Sequence, residues 1–302
     1  MTAVRLGTCS WADEALSKYF YPPGTPAPDR LPYYASLYST VEVDSTYYRV
    51  PDEKMVRGWD ARTPDGFTMH VKAFGVMTRH PVRLEQLPPD LRDGMPVDER
   101  GRVDRPSREL RAVVFRKFLG ALEPLRASGK LGGILFQLPP YVVFKPQSLE
   151  YLEWAQDQLG GDEMLVEFRH RSWLDDENRA ATLAFLEARK LTHVIVDAPR
   201  TDAQNVVPTV VALTTPTAYV RFHGRNAGTW NSRGGGAAKR FDHLYSAEEL
   251  AEWVEPMREL STEAENTYAL FNNNNQTNGV AQAPAGADLL GKLLDEAGVP
   301  VA

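Results

Sequence analysis

The sequence predicts one α/β unit in which eight parallel strands close into a (β/α)8 barrel of the TIM type. Three observations carry this. Eight short runs rich in β-forming residues occur in order, helical periodicity fills most of the intervals between them, and no glycine-rich dinucleotide fingerprint follows the first strand. The last point decides against an open doubly wound sheet, because Gly7-Thr8-Cys9-Ser10-Trp11 offers no G-x-G-x-x-G loop. A chain of 302 residues suits one barrel spanning 1–302.

In chain order the predicted strands are 5–11, 40–48, 67–74 and 132–138, then 164–170, 192–198, 217–224 and 267–274. Helical spacing fits 52–62, 108–127, 147–159 and 176–189. A further helix over 246–260 opens with Ser246 and Glu249 three apart, the spacing of a capping box, and Pro256 is expected to kink or shorten it. The last predicted helix, 285–297, carries a stripe of Leu289, Leu290, Leu293 and Leu294, and Gly298 is placed to stop it. Two stretches fit less well. Residues 199–215 carry Pro199 and Pro208 with no helical stripe, so an irregular crossover is expected after strand six. Residues 75–107, after strand three, form a polar, proline-bearing insertion far longer than the usual loop of about five residues, and a loop or lid is expected there.

Composition excludes several classes. With 43% hydrophobic and 25% charged residues the chain reads as an ordinary globular protein. Its 34 basic and 40 acidic residues give a net charge of -6, so a general nucleic-acid coat is disfavoured, while a local basic pocket stays open. Cys9 is the only cysteine, which rules out an intramolecular disulfide and a cysteine-based zinc cluster and points to a reducing compartment. No apolar run reaches the length of a signal core or a membrane span, so a cytoplasmic location and no membrane partner are expected.

Alternation along each strand sorts its side chains. If the apolar set faces the helices, Glu42, Asp44, His70, Lys72, Gln137, Glu167 and Arg169 point into the barrel, followed by Asp197, Tyr219, Arg221, His223 and Asn272. Barrel interiors are normally filled by Val, Ile and Leu, and buried charge is costly unless paired. Four inward carboxylates against three fixed cations allow a self-neutralising network that merely fills the barrel. Against that bland reading, most of these residues fall at the C-terminal strand ends, where barrel active sites form.

Among the candidates, Glu167 suits a general base or metal ligand, and Arg169 an anion clamp. Arg221, His223 and Arg225 recur at every second position, which would put two guanidinium groups and an imidazole in one column. For His170 a structural hydrogen bond is expected. Asp44 and Asp197 could share acid and base roles across the mouth or hold a divalent cation with His223, though no H-x-x-x-H or H-E-x-x-H pair supports a metal. The glycine-rich run 232–236 could offer backbone N–H groups to an anion or be a plain loop tip. Trp11, Tyr47 and Tyr48 suit either an aromatic wall or core packing, and Cys9 reads as a small core residue.

Several of these residues belong to a recurring ordered set: Gly7-Thr8-Cys9-Ser10-Trp11, Glu42-Val43-Asp44-Ser45-Thr46-Tyr47-Tyr48-Arg49 and Leu135-Phe136-Gln137-Leu138-Pro139-Pro140, then Glu167-Phe168-Arg169-His170 with Ser172-Trp173, and Arg221-Phe222-His223-Gly224-Arg225. With Arg240-Phe241-Asp242, Leu244-Tyr245-Ser246 and Phe271-Asn272-Asn273, the chain resembles the YecE-like family, domain of unknown function 72, across nearly its whole length. The resemblance implies a (β/α)8 barrel and no established activity; a likeness to endonuclease IV and xylose-isomerase-like barrels is analogy alone. Two departures stand out. Asp44 occupies a position where the family often has asparagine, and 279–284 replaces an Asn-Ala pair that often begins the last helix.

Three functions are therefore expected to compete. The first is an enzyme acting on a phosphorylated or polyhydroxylated small molecule, with Arg169, Arg221, Arg225 and Lys72 holding the anion, Gln137, Asn272, Trp11 and Tyr47 completing the pocket, and Asp44, Glu167, Asp197 and His223 exchanging protons. The second is a metal-dependent phosphoesterase acting on nucleic acid. The third is a ligand-binding protein without turnover.

Overall fold

A computed structural model describes residues 1–230 and 239–302. All eight expected strands are present, each ending earlier than alternation suggested. They are β1 (Val4–Thr8), β2 (Thr40–Val43), β3 (Thr68–Lys72), β4 (Leu131–Gln137), β5 (Met164–Glu167), β6 (Thr192–Asp197), β7 (Thr217–Phe222) and β8 (Asn266–Phe271). The ladder runs β1-β8-β7-β6-β5-β4-β3-β2, every pair parallel, so the sheet is a nearly closed barrel.

The seam lies between β1 and β2, and a side chain bridges it. The Tyr34 hydroxyl accepts from the Thr8 N–H at 2.8 Å and donates to the Thr40 carbonyl at 3.2 Å, satisfying two strand-edge groups that a ladder would have paired. Gly7 permits the approach, since a Cβ there would sit 2.4 Å from the Thr40 carbonyl oxygen. Tyr34 belongs to a helix the sequence reading did not place. The β1–β2 connection holds α1 (Glu14–Tyr19) and α2 (Ala27–Ala35), whose prolines at 26, 28 and 32 hide the helical signal.

The outer layer continues with α3 (Glu53–Asp60), α4 (Arg108–Ala121), α5 (Glu123–Ala127), α6 (Pro146–Gln158) and α7 (Arg179–Ala188). The expected 108–127 helix thus breaks at Leu122. The expected 246–260 helix breaks as well, into Ala247–Ala251 and Val254–Glu263, with the Ser246/Glu249 capping box formed and Pro256 in the first turn of the second piece. The last helix begins at Gln282, three residues early, after a small hairpin of Gln276–Thr277 against Val280–Ala281, and Gly298 follows it at φ 73°. No helix replaces the irregular 199–215 crossover.

The 75–107 insertion is less polar in effect than it looked. It buries Val76, Met77, Val82, Leu87, Leu91, Met95 and Val103 and is pinned by bridges between Arg83 and Arg102 and between Val97 and Val103. It also clips to the turn that follows β2, where the Gln86 amide donates to the Tyr48 carbonyl at 3.0 Å.

Candidate functional site

The interior is polar from its lower layer upward. His70 lies deep, its ring met edge-on by Tyr219 at 4.7 Å and Tyr268 at 4.4 Å, and burial holds its pKa down to about 3. Gly132 makes room, because a Cβ there would come within 2.6 Å of the imidazole Nε2. His70 faces inward as alternation predicted, but it is a neutral core histidine.

Above it sits a closed ionic group. The Arg221 guanidinium donates from Nε to Glu42 at 2.9 Å and from Nη2 to the other Glu42 oxygen at 2.6 Å, while Nη1 bonds Glu167. The Tyr219 hydroxyl adds a third donor to Glu42 at 3.0 Å. Arg221, Glu42 and Glu167 are all fully buried. Arg221 is expected from the sequence to hold a ligand's anion; in the structure its guanidinium nitrogens are taken up by Glu42 and Glu167. Cys9 completes this layer, its sulfur 3.6 Å from Nη2, and burial raises its pKa well above the usual thiol value.

Glu167 is the node joining the closed layer to the mouth. Besides Arg221 it accepts from Gln137 Nε2 at 2.7 Å, Arg169 Nη1 at 3.3 Å and His223 Nε2 at 3.0 Å. Burial alone would raise its pKa, but Arg221, then His223 and Arg169, hold it well below the carboxylate range. A carboxylate so saturated stays ionised and orients its donors. His223 is correspondingly fixed: the Asn272 amide nitrogen faces Nδ1 at 2.8 Å, which leaves the imidazole proton on Nε2, directed at Glu167. Burial lowers the His223 pKa to about 4, against the pull of Glu167, so the ring is neutral at neutral pH.

Three charged groups at the mouth remain less committed. Among the described residues Arg169 has one hydrogen bond, to Glu167, and its guanidinium lies 4.9 Å from the Trp230 ring and 5.7 Å from Phe241. Lys72, at the end of β3, rests its ammonium 4.9 Å from the Tyr47 ring and forms no ion pair among the described residues. Burial, and then Arg221, lower its pKa. Asp44 precedes the 3-10 turn Ser45–Tyr47, and its carboxylate caps nothing and makes no hydrogen bond among the described residues; burial, partly offset by Lys72, raises its pKa to about 6.

Three expected site residues, Asp197, Arg225 and Trp11, lie elsewhere. Strand pairing sets Asp197 beside Phe222, and Phe222 packs against Trp253 and Tyr245 of the outer layer, so β6 has the opposite phase to the one predicted. The Asp197 carboxylate accepts from Tyr245 at 2.6 Å, Trp253 Nε1 at 2.7 Å and Arg225 Nη2 at 2.7 Å. Arg225 follows it outward because Gly224, at φ 85°, ends the alternation of β7 one residue earlier. Trp11 leans edge-on against Trp59 of α3, 5.8 Å between centroids. His170 makes the structural bonds expected of it, to Ser172. The 232–236 run lies outside the described residues.

Sequence reasoning missed the aromatic wall. Phe241 stacks on the His223 ring at 5.1 Å, and Trp230 faces Arg169. Both lie beyond β7, where period-two alternation says nothing; the Arg240-Phe241-Asp242 motif was the one signal pointing there. Among the described residues no three His, Cys, Asp or Glu side chains converge as metal ligands would, and the Glu167–His223 pair faces itself rather than a shared point.

Fold and site together define a parallel eight-stranded α/β barrel with an ionic, aromatic-walled mouth. The chain belongs to the DUF72 family, described as protein of unknown function, whose sequence pattern matches residues 5–300. It is 31% identical over 296 residues to the UPF0759 protein YunF of Bacillus subtilis, covering 97% of this chain and 95% of that one. Among solved structures it is similar to a DUF72 protein of Enterococcus faecalis (TM-score 0.78, 26% identity, 97% and 95% of the two chains). A DUF72 protein of Thermotoga maritima is similar as well (TM-score 0.75, 30% identity, 97% and 99%). No helix among the described residues is long and apolar enough to cross a membrane.

Proposed function

We propose that this barrel is an enzyme acting on a small anionic, polyhydroxylated molecule bound at the C-terminal mouth. The observation that carries the reading is the split between consumed and unclaimed charge. Glu42, Arg221, Glu167 and His223 satisfy one another inside, while Lys72, Arg169 and Asp44 reach the rim with incomplete partners. Two cations near a low-dielectric wall favour a carboxylate or phosphate, and the half-buried ring of Tyr47 suits the C–H face of a sugar-like ligand. Asp44, with a pKa of about 6, can hold or release a proton near neutrality, and Lys72, its pKa lowered, can act as the counterpart acid.

In this reading Glu167 is a positioning residue: it fixes Arg169, Gln137 and His223 without itself exchanging a proton. The test is thermal stabilisation by a panel of aldose and ketose phosphates and aldonic acids, followed by turnover assays on whatever stabilises. Lys72→Met and Arg169→Gln are expected to remove the stabilisation by at least tenfold in affinity, and Asp44→Asn to spare affinity while abolishing turnover. A panel in which nothing binds, or binding indifferent to both cation variants, refutes the proposal.

A further inference from the structure

A second cleft, about 770 Å³, opens beside the mouth between the 75–107 insertion and the N-terminal ends of α4 and α6. Its volume falls in the range of small-ligand sites, roughly 300–1,000 Å³. Its lining is unlike the rest of this acidic chain. Among the described residues, Arg79, Arg105, Arg108, Arg111 and Lys145 face it against Asp104 and Glu150, an excess of three positive charges in a protein of net charge -6. His80, also in the wall, adds no charge, since burial lowers its pKa to about 3.

The cations are placed against electrostatic preference. Arg79 and Arg111 set their guanidinium carbons 5.2 and 5.3 Å from the centroid of the same Tyr151 ring. Arg111 is only 7% exposed, donates to the Tyr151 hydroxyl at 3.0 Å and to the Pro106 carbonyl at 3.4 Å, and has no carboxylate partner among the described residues. A buried cation without a counter-ion, beside a second cation, is costly. Ordinary structural arginines in this chain avoid the cost by pairing, as Arg221 and Arg225 do. Nor is Arg79 merely passing by: it holds a left-handed backbone at φ 67°, and its carbonyl accepts from the Tyr141 hydroxyl at 2.5 Å. One helix N-terminus reinforces the field: the 13-residue α6 starts at Pro146 with no side-chain cap, whereas Ser107 caps the 14-residue α4 that Arg108 opens.

We infer that this cleft binds a di- or triphosphate group. One phosphate engages two or three donors; five cations spread over a cleft of about 770 Å³, with the uncapped N-terminus of α6 in its wall, match a chain of linked phosphates. The phosphates supply the missing counter-charge between Arg79 and Arg111, and Arg105, Arg108 and Lys145 meet the remaining oxygens. Tyr141, 59% exposed at the rim, offers a ring face to a nucleoside carried on the same phosphates. The cleft is separate from the mouth, divided from it by His80, whose ring packs edge-on against Tyr47 at 5.0 Å, and the inference does not depend on the function proposed above.

The test is isothermal titration of the purified protein with tripolyphosphate and, separately, ATP, both without added metal and at 50 mM salt. Both are expected to bind at one site with a Kd below about 100 μM, weakening at least tenfold at 300 mM salt as screening grows. Equal affinities mark a site that reads phosphate alone; tighter ATP marks a nucleoside contact that Tyr141→Ala should remove. Arg79→Glu with Arg108→Glu, both exposed positions, should abolish binding at unchanged melting temperature, whereas Arg169→Gln at the mouth should leave it intact. No binding of either compound below 1 mM, binding untouched by the double variant, or binding lost with Arg169→Gln overturns the inference.

Discussion

Replacing Arg221 by methionine tests whether that residue builds the barrel or serves the ligand. Its three guanidinium nitrogens bond two fully buried carboxylates, with Nε and Nη2 on Glu42 at 2.9 and 2.6 Å and Nη1 on Glu167. Methionine keeps much of the volume but leaves Glu42 with the Tyr219 hydroxyl alone. Breaking one side of a buried ion pair costs about 3–5 kcal/mol, because the stranded charge stays in the interior. For a chain of this size that is a fall in melting temperature on the order of 10 °C. The cost also carries a pH signature. In the native protein Glu167 has a pKa held below the carboxylate range by Arg221, so its stabilisation is present above its unfolded value near 4.5 and is lost only as pH falls through the lower folded value. Without Arg221, Glu167 loses its main counter-charge and binds protons more readily. The deficit of Arg221→Met should therefore be largest at pH 8 and shrink toward pH 5, and adding Glu42→Gln should recover part of it. Urea unfolding at both pH values reads this directly. A loss under about 1 kcal/mol, or one identical at pH 5 and 8, would mean that Arg221 does not hold the barrel's charge balance.

Other substitutions follow from the same geometry. Asp44→Asn should stabilise the protein at pH 8 and not at pH 4: a folded pKa of about 6 penalises the ionised carboxylate above it, about 3 kcal/mol for two pH units and about 1–2 kcal/mol after solvent screening at the mouth. Urea unfolding against pH checks it, and no gain at pH 8 refutes it. Asp197→Ala should cost about 3–5 kcal/mol by stranding Arg225, Tyr245 and Trp253 while leaving mouth ligands bound, which chemical denaturation with and without ligand separates. Gly7→Ala should cost about 1–3 kcal/mol through the collision with the Thr40 carbonyl, and an unaltered melting temperature would show that the β1–β2 seam yields. The His223 ring, with a pKa of about 4, should show constant imidazole chemical shifts from pH 5.5 to 8; a titration midpoint above 5.5 contradicts the neutral assignment.

The barrel was legible because its signals are short-range and repeated. Eight β-rich runs survive errors at any one of them, whereas the α2 helix, written Ala27-Pro28-Asp29-Arg30-Leu31-Pro32, was not found because its helical state depends on tertiary packing of Leu31 and Tyr34. Site residues were legible where a strand is polar on one side. Along β7 and the residue after it, Tyr219, Arg221 and His223 alternate with Ala218, Val220 and Phe222, and the inward set agrees with the alternation. In β6 the sequence is Thr192-His193-Val194-Ile195-Val196-Asp197, apolar at both parities in its centre and buried throughout, so alternation carries no phase. Asp197 was assigned inward on a pattern that is not there; pairing with Phe222 settles it outward.

Where strands end, the rule of two stops, and this is where the candidate chemistry lies. Asp44 and Tyr47 sit in a 3-10 turn, Arg169 two residues past β5, and Phe241 in the loops after β7. A second criterion is needed there, and charge commitment supplies it. Glu167 and Arg221 are the most buried and most fully bonded of the predicted groups, and that same saturation removes them from direct contact with a ligand: Glu167 would have to release a donor, and Arg221 a carboxylate, at a cost of several kcal/mol each time. Lys72, Arg169 and Asp44 can engage an incoming anion or hydroxyl with no such loss. The interior group then acts by fixing Arg169 through Glu167, so Glu167→Gln should weaken binding at the mouth indirectly. Its effect should vanish in the Arg169→Gln background, and a full, additive loss in the double variant would place Glu167 on the ligand itself.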